Sequence, residues 1–278
     1  MSPVLQGFIP QRLLSSFLGW MGHVRRPRWL VHRFVVWFAR HYGVNLEEAE
    51  HPIGHYESFT SFFTRRLKPG LRRFPDAPQA IGSPADGTVA ASGVVTAGRA
   101  IQAKGIDYRL EDLLCDRELA GAFEGGTYRT IYLSPKDYHR VHAPCSGVLR
   151  RRIHGGGRLF SVSASTVAQV PNIFAGNERV VLEFDDGSNG RWMIVLVGAL
   201  VVGGIETVWE GTVNPLRKGM KSDRVFEGMI RVSRGDEIGL FRAGSTVICF
   251  WQKGRVRLEP FGDNAPVKLG ETIGERDV

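Results

Sequence analysis

The sequence is poor in several things that would fix its class at once. It has three cysteines in 278 residues, Cys115, Cys145 and Cys249, widely spaced and without a C-x-x-C pair. That spacing excludes a disulfide framework and points to a reducing compartment. No apolar run is long enough to span a bilayer. The longest, Trp192 to Ile205, covers 14 residues, carries three glycines and reads as buried strand. The N-terminus lacks a basic head followed by an uninterrupted apolar core, so no signal peptide is expected. There is no G-x-S-x-G elbow, which argues against an α/β-hydrolase. Histidine is scarce in the body of the chain: of eight, five precede residue 56 and only His139, His142 and His154 follow.

What is present is a large apolar fraction and an uneven charge. Hydrophobic residues make up 43% and the mean hydropathy is −0.12, so a substantial core is expected. Glycine, at 34 residues, favours a turn-rich β structure. The net charge of +8 is concentrated early: residues 1–80 hold eleven Arg or Lys against five Asp or Glu. Residues 10–42 read as helices. Leu13, Leu14, Phe17, Leu18 and Met21 repeat at helical spacing, and a second segment opening at Pro27 carries Trp29, Leu30, Phe34, Trp37 and Phe38. Arg25, Arg26, Arg28, Arg33 and Arg40 flank these aromatics. Such a pattern suits an anionic membrane surface, and it equally suits a helix packed on its own core with solvated arginines. No nucleic-acid-binding module is recognised, so nucleic acid is not expected as a partner.

A further short helix is expected from Tyr56 to Lys68, ending near Pro69. The connection through Pro75 and Pro78 marks a boundary between a helical region, 1–79, and a β-rich region, 80–278. From residue 80 short apolar runs alternate with Gly, Pro and Asp turns. Two internal echoes occur there. Ser83-Pro84-Ala85-Asp86-Gly87-Thr88-Val89 matches Ala143-Pro144-Cys145-Ser146-Gly147-Val148-Leu149, and Val232 to Gly239 matches Val267 to Gly274. Repeated turns beside strands suggest a body built from two similar halves. The expected class is α+β: N-terminal amphipathic helices followed by a predominantly antiparallel β body resembling a duplicated hybrid barrel.

Three stretches hold residue types that do chemistry. Gly244-Ser245-Thr246 lies between a polar turn and an apolar run. A serine hydroxyl there attacks the preceding carbonyl once a base removes its proton. Tyr138-His139-Arg140-Val141-His142 supplies two histidines, either of them suited to act as that base. Two histidines three apart also suit a metal, but no third ligand stands at a convincing spacing, so no metal is expected. Asp86, before Gly87, reads as a turn residue or as a carboxylate that orients a histidine. Asp86, His142 and Ser245 are together the residue types of an Asp-His-Ser triad.

The chain resembles the phosphatidylserine decarboxylases. The resemblance is carried by Ser83 to Gly87, Leu133-Ser134-Pro135-Lys136-Asp137-Tyr138-His139-Arg140-Val141-His142-Ala143-Pro144, Leu159 to Val162, Asn177-Glu178-Arg179, Val197-Gly198-Ala199 and Gly244-Ser245-Thr246, with the Tyr56 to Lys68 region in support. It runs from about residue 10 to the C-terminus, in the family's order. It implies a proenzyme that cuts itself between Gly244 and Ser245 into a β chain, 1–244, and an α chain, 245–278. His142, oriented by Asp86, would deprotonate Ser245. Its oxygen would take the Gly244 acyl group, and elimination would free Gly244 and leave dehydroalanine at 245. Hydrolysis would then release ammonia and leave a pyruvoyl group, the expected cofactor. That group would draw electrons as phosphatidylserine loses CO2 to become phosphatidylethanolamine. His139 would serve this second reaction. The implied setting is peripheral, on the cytoplasmic face of the cell membrane, and a homo-oligomer is compatible with it. Ala243 departs from the leucine usual before Gly-Ser-Thr, which would loosen the scissile turn. The rival readings are a non-catalytic lipid-binding homologue and a serine hydrolase using the same triad.

Overall fold

The computed structural model describes residues 19–277 apart from 104, 189, 200–203, 214, 215, 217, 229, 243 and 263. Leu13, Leu14, Phe17, Leu18 and Ala243 lie outside the described residues. A helix covers Arg28–Tyr42 and buries Val35, Phe38 and Ala39, which recur at helical spacing. It stops at Gly43, whose left-handed backbone (φ 69°) lets its N–H close on the Ala39 carbonyl. Arg40 and His41 in the last turn complement the helix dipole. The buried stripe packs on Phe62 and Phe63 of a second helix, Phe59–Phe63. Ser58 caps that helix by accepting a bond from the Ser61 N–H. The far side of the first helix leaves Trp29, Leu30, Phe34 and Trp37 exposed.

The rest is β, as the turn-rich pattern predicts. A nine-stranded sheet runs in the order Lys221–Val225, Gly147–Gly155, Arg179–Asp185, Arg191–Val197, Ser245–Trp251, Thr127–Leu133, Gly87–Val94 and Pro266–Val267, with Arg231–Val232 also on Gly147–Gly155. Its pairings are antiparallel. The apolar runs are strands covered on both faces. Along Ser245–Trp251, Val247, Cys249 and Trp251 enter one core and Ile248 and Phe250 another. Arg191–Val197 splits likewise, with Trp192, Ile194 and Leu196 opposite Met193, Val195 and Val197. Strict alternation between two apolar layers gives the continuous hydrophobic run seen in the sequence. The α+β class and the antiparallel body are therefore present. Barrel closure is not: the sheet path ends at Lys221–Val225 and Pro266–Val267, and no pairing joins these ends among the described residues.

The two echoes are structural repeats, and they bind each other. Gly82 N–H donates to the Pro144 carbonyl, and His142 N–H donates to the Pro84 carbonyl. Ser83 and Gly270 bond as Ala143 and Gly235 do: Gly270 N–H donates to Ser83 O, and Gly235 N–H to Ala143 O. Gly87↔Val267 and Gly147↔Val232 are equivalent strand pairs. Gly235 (φ 92°) and Gly270 (φ 83°) hold the turns in a conformation that side chains disfavour.

Candidate active site

Two chain crossings define the site. The strand Thr127–Leu133 belongs to the large sheet, and after residues 134–139 the chain enters a four-stranded sheet at Arg140–His142. The strand Glu237–Phe241 lies in that smaller sheet, and after residues 242–244 the chain enters the large one at Ser245–Trp251. The crossings run side by side, because Ser245 pairs with Leu133 at one end and Leu240 with Arg140 at the other. Phe241 N–H also donates to the His139 carbonyl. Gly244, Ser245, His139 and His142 are thereby gathered at one junction. Asp86 approaches from just before the next strand, Gly87–Val94, whose Thr88 pairs with Tyr132.

Ser245 is fully buried, and its Oγ has no hydrogen-bond partner among the described residues. The Thr246 and Thr130 hydroxyls nearby are likewise unpartnered, so what sets Ser245 apart is its place directly after Gly244 and not the missing bond alone. His142 donates from Nδ1 to the Gly235 carbonyl at 2.7 Å. Nε2 therefore carries the lone pair, and the Tyr138 hydroxyl donates to it at 3.3 Å. Burial pushes the His142 pKa down, with the Gly235 carbonyl opposing, so the ring is a neutral base near pH 7. His139 is fully buried and donates from Nδ1 to the Asp137 carbonyl at 2.9 Å. Its Nε2 has no partner among the described residues, the Phe63 ring stands 4.1 Å away, and burial lowers its pKa to about 3.

Asp86 is held elsewhere than expected. Arg72 Nε donates to Oδ1 at 2.9 Å and Nη2 to Oδ2 at 2.6 Å, while Leu269 N–H reaches Oδ1 at 2.7 Å. Burial alone would raise its pKa, but Arg72 and the Leu269 N–H outweigh burial and keep the carboxyl ionised. Both His142 nitrogens are taken by Gly235 and Tyr138, so His142 is oriented by a backbone carbonyl rather than by Asp86. Burial raises the Tyr138 pKa and the Glu237 charge adds to it, with Asp86 contributing least of the groups around it.

Sequence reasoning missed Arg72, Gly235 and Tyr138 as parts of this site. It also missed His154. A cleft beside the junction is lined by His154, Leu159, Glu178, Gly198, Phe241 and Gly244, among others. In it the His154 ring and the Glu178 carboxylate meet at 2.8 Å, both largely buried. Among the described residues no cluster of ligands could hold a metal ion.

The comparisons agree with the stretches that meet at this junction. A family model described as phosphatidylserine decarboxylase matches residues 59–275. A protein of Stutzerimonas stutzeri named phosphatidylserine decarboxylase proenzyme is 44% identical over 98% of this chain and 93% of its own. A Pseudomonas putida protein of the same name is 44% identical over 98% and 96%, and one of Pseudomonas aeruginosa 43% over 96% and 94%. The match therefore spans the helices, both repeated turns and the Gly244–Ser245 junction, and the chain belongs to the phosphatidylserine decarboxylase family.

Proposed function

We propose that the protein is a phosphatidylserine decarboxylase, made as a proenzyme that cuts itself between Gly244 and Ser245. The observation that carries the cleavage reading is the buried, unpartnered Ser245 hydroxyl directly after Gly244, at a junction with a neutral histidine. His142 takes the hydroxyl proton on Nε2, the nitrogen left basic by the Gly235 bond. The oxygen then attacks the Gly244 carbonyl carbon, and the peptide nitrogen leaves as the amine. His142 and Ser245 are not hydrogen-bonded among the described residues, so the step requires His142 Nε2 to exchange the Tyr138 hydroxyl for that of Ser245. Asp86, held ionised by Arg72, adds its negative charge at a distance.

A pyruvoyl group at position 245 suits the residues present. The side chain there is enclosed, its polar atom is unpartnered, and the strand is fixed by Leu133 on one side while Thr246 pairs with Val197 on the other. Such a group supplies the sink for the electron pair released as CO2 departs. His139 is the proton carrier of that reaction. Its Nε2 has no partner among the described residues and is the atom placed to relay a proton; because burial lowers its pKa to about 3, the ring holds that proton only transiently and is a strong acid while it does. It passes the proton to the carbon that has lost CO2.

The substrate is a membrane lipid, and the exposed Trp29, Leu30, Phe34 and Trp37 with Arg28, Arg33 and Arg40 support peripheral docking on an anionic surface, which this reading places at the cell membrane's cytoplasmic face. Among the described residues no helix is long and apolar enough to cross a membrane. Intact-mass analysis tests the cleavage reading. The purified protein should give residues 1–244 and a fragment 245–278 with a blocked, pyruvoyl amino end, and Ser245→Ala should stay whole. A whole wild-type chain would favour the lipid-binding or hydrolase readings instead.

A further inference from the structure

Arg65 is 4% exposed, yet it satisfies little of its own hydrogen-bonding capacity. Its Nη2 donates to the Lys136 carbonyl at 2.9 Å and to the Asp137 carbonyl at 3.4 Å. Nε and Nη1 are buried and have no partner among the described residues. A guanidinium carries five N–H donors, and leaving them dry without an acceptor is among the costlier arrangements in a protein. Nor does a carboxylate of the neighbourhood relieve it. Glu48 and Asp86 are both engaged by Arg72, and Asp137 accepts from the Ser134 N–H and hydroxyl. These carboxylates act on Arg65 only at a distance, and burial prevails over them.

The arginine borders a cleft with Lys136, Tyr138 and Lys268, as well as Asp86, Asp137 and Glu48. Gly43 and Asn45, which follow the helix with the exposed aromatics, form part of its wall. The cleft adjoins the reacting groups: Lys136 and Asp137 lie just before His139, and Phe63, two residues from Arg65, packs on the His139 ring. Lys268 is paired with Asp86 at 3.7 Å and the Arg65 guanidinium stands 5.3 Å over the Phe62 ring, which leaves its Nε and Nη1 still without an acceptor among the described residues, so this cation calls for an anion.

We propose that Arg65 binds the phosphodiester of the lipid headgroup and so positions the serine moiety beside His139. This rests on the decarboxylase reading. The substrate brings two anions, and the chemistry decides between them. The carboxylate must lose its charge as CO2 leaves, so a buried guanidinium on it would stabilise the ground state and slow the reaction. The phosphodiester is unchanged from start to finish, so contact with it costs no rate. Its two free oxygens match the planar fork of arginine.

The test compares phosphatidylserine with O-octylserine in the same mixed micelles. O-Octylserine keeps the amine and the carboxylate but has an ether in place of the phosphodiester. For Arg65→Met, the ratio of kcat/KM for phosphatidylserine over O-octylserine, per mole of pyruvoyl, should fall by about ten- to a hundredfold, mostly through KM. An unchanged ratio, or an equal loss on both substrates, overturns the proposal, the second result meaning that Arg65 only braces the loop. If Arg65→Met does not fold or process, Arg65→Lys decides. It keeps the charge and loses the fork, so the ratio should fall by a smaller factor, and an unchanged ratio overturns the proposal. A wild-type protein that releases no CO2 from phosphatidylserine would remove the decarboxylase reading itself, whereas an active wild type with an unchanged ratio removes only the role of Arg65.

Discussion

The buried His139 makes folding stability depend on pH in a way that can be isolated. In the folded protein its pKa is about 3, against an ordinary 6.5, because burial penalises the charged ring. Below about pH 6.5 the unfolded chain takes up a proton at this position and the folded chain does not. The unfolded state then binds more protons, so stability falls as pH falls, from about 6.5 down to about 3. The contribution is fully present above pH 6.5. At pH 5 the loss from this one group should be about 2 kcal/mol. The measurement is urea unfolding at pH 7.5 and pH 5.0. It is made on Ser245→Ala, to keep a single chain, and on the same protein carrying His139→Gln, whose side chain does not titrate. The parent should lose about 2 kcal/mol more than the second variant over this interval. Equal losses in the two proteins would mean that burial does not depress the His139 pKa, and the reading of its protonated ring as a strong acid toward the carbon that has lost CO2 would fall with that result.

His139→Ala should still yield both chains and the pyruvoyl group, but CO2 release per mole of pyruvoyl should drop by about 10²–10⁴-fold, and near-normal turnover would take His139 off the catalytic list. Asp86→Ser should fold and keep the bond from Leu269 N–H while cleaving slowly, because it removes the charge and keeps an acceptor; a gel time course matching wild type would count against any part for the carboxylate in processing. Replacing Trp29 and Trp37 with glutamate should weaken sedimentation with anionic vesicles, and added salt should weaken wild-type binding, each basic residue near the surface contributing about 1 kcal/mol. Binding indifferent to both changes would move the membrane contact elsewhere.

Much of this arrangement was legible because it follows from periodicity. The run around Trp192 and the run after Ser245 alternate between two apolar layers, so strands were the readable outcome. The sheet's failure to close was not readable, since closure depends on which edges meet and no local pattern encodes that. The partners of the site residues were hidden for a similar reason. The Gly235 carbonyl that orients His142 is backbone, which every residue offers. Arg72 reaches Asp86 out of a proline-bounded connection with no pattern of its own.

The repeated turns supply what single stretches did not. In one half Asp86 accepts from the Leu269 N–H, and at the equivalent place in the other half Ser146 Oγ accepts from the Arg234 N–H at 3.0 Å. The turn therefore requires an acceptor and not a charge, for a neutral hydroxyl completes it in the sister copy. A carboxylate in the same place is buried at a cost, and Arg72 must be brought in to hold it. Asp86 as a simple turn residue accounts for the bond to Leu269 but not for the charge. The charge is therefore unexplained by the turn, and it stands on the half of the repeat that faces the Tyr138–His142 bond at the Gly244–Ser245 junction, so a part in processing is what the Asp86→Ser time course tests.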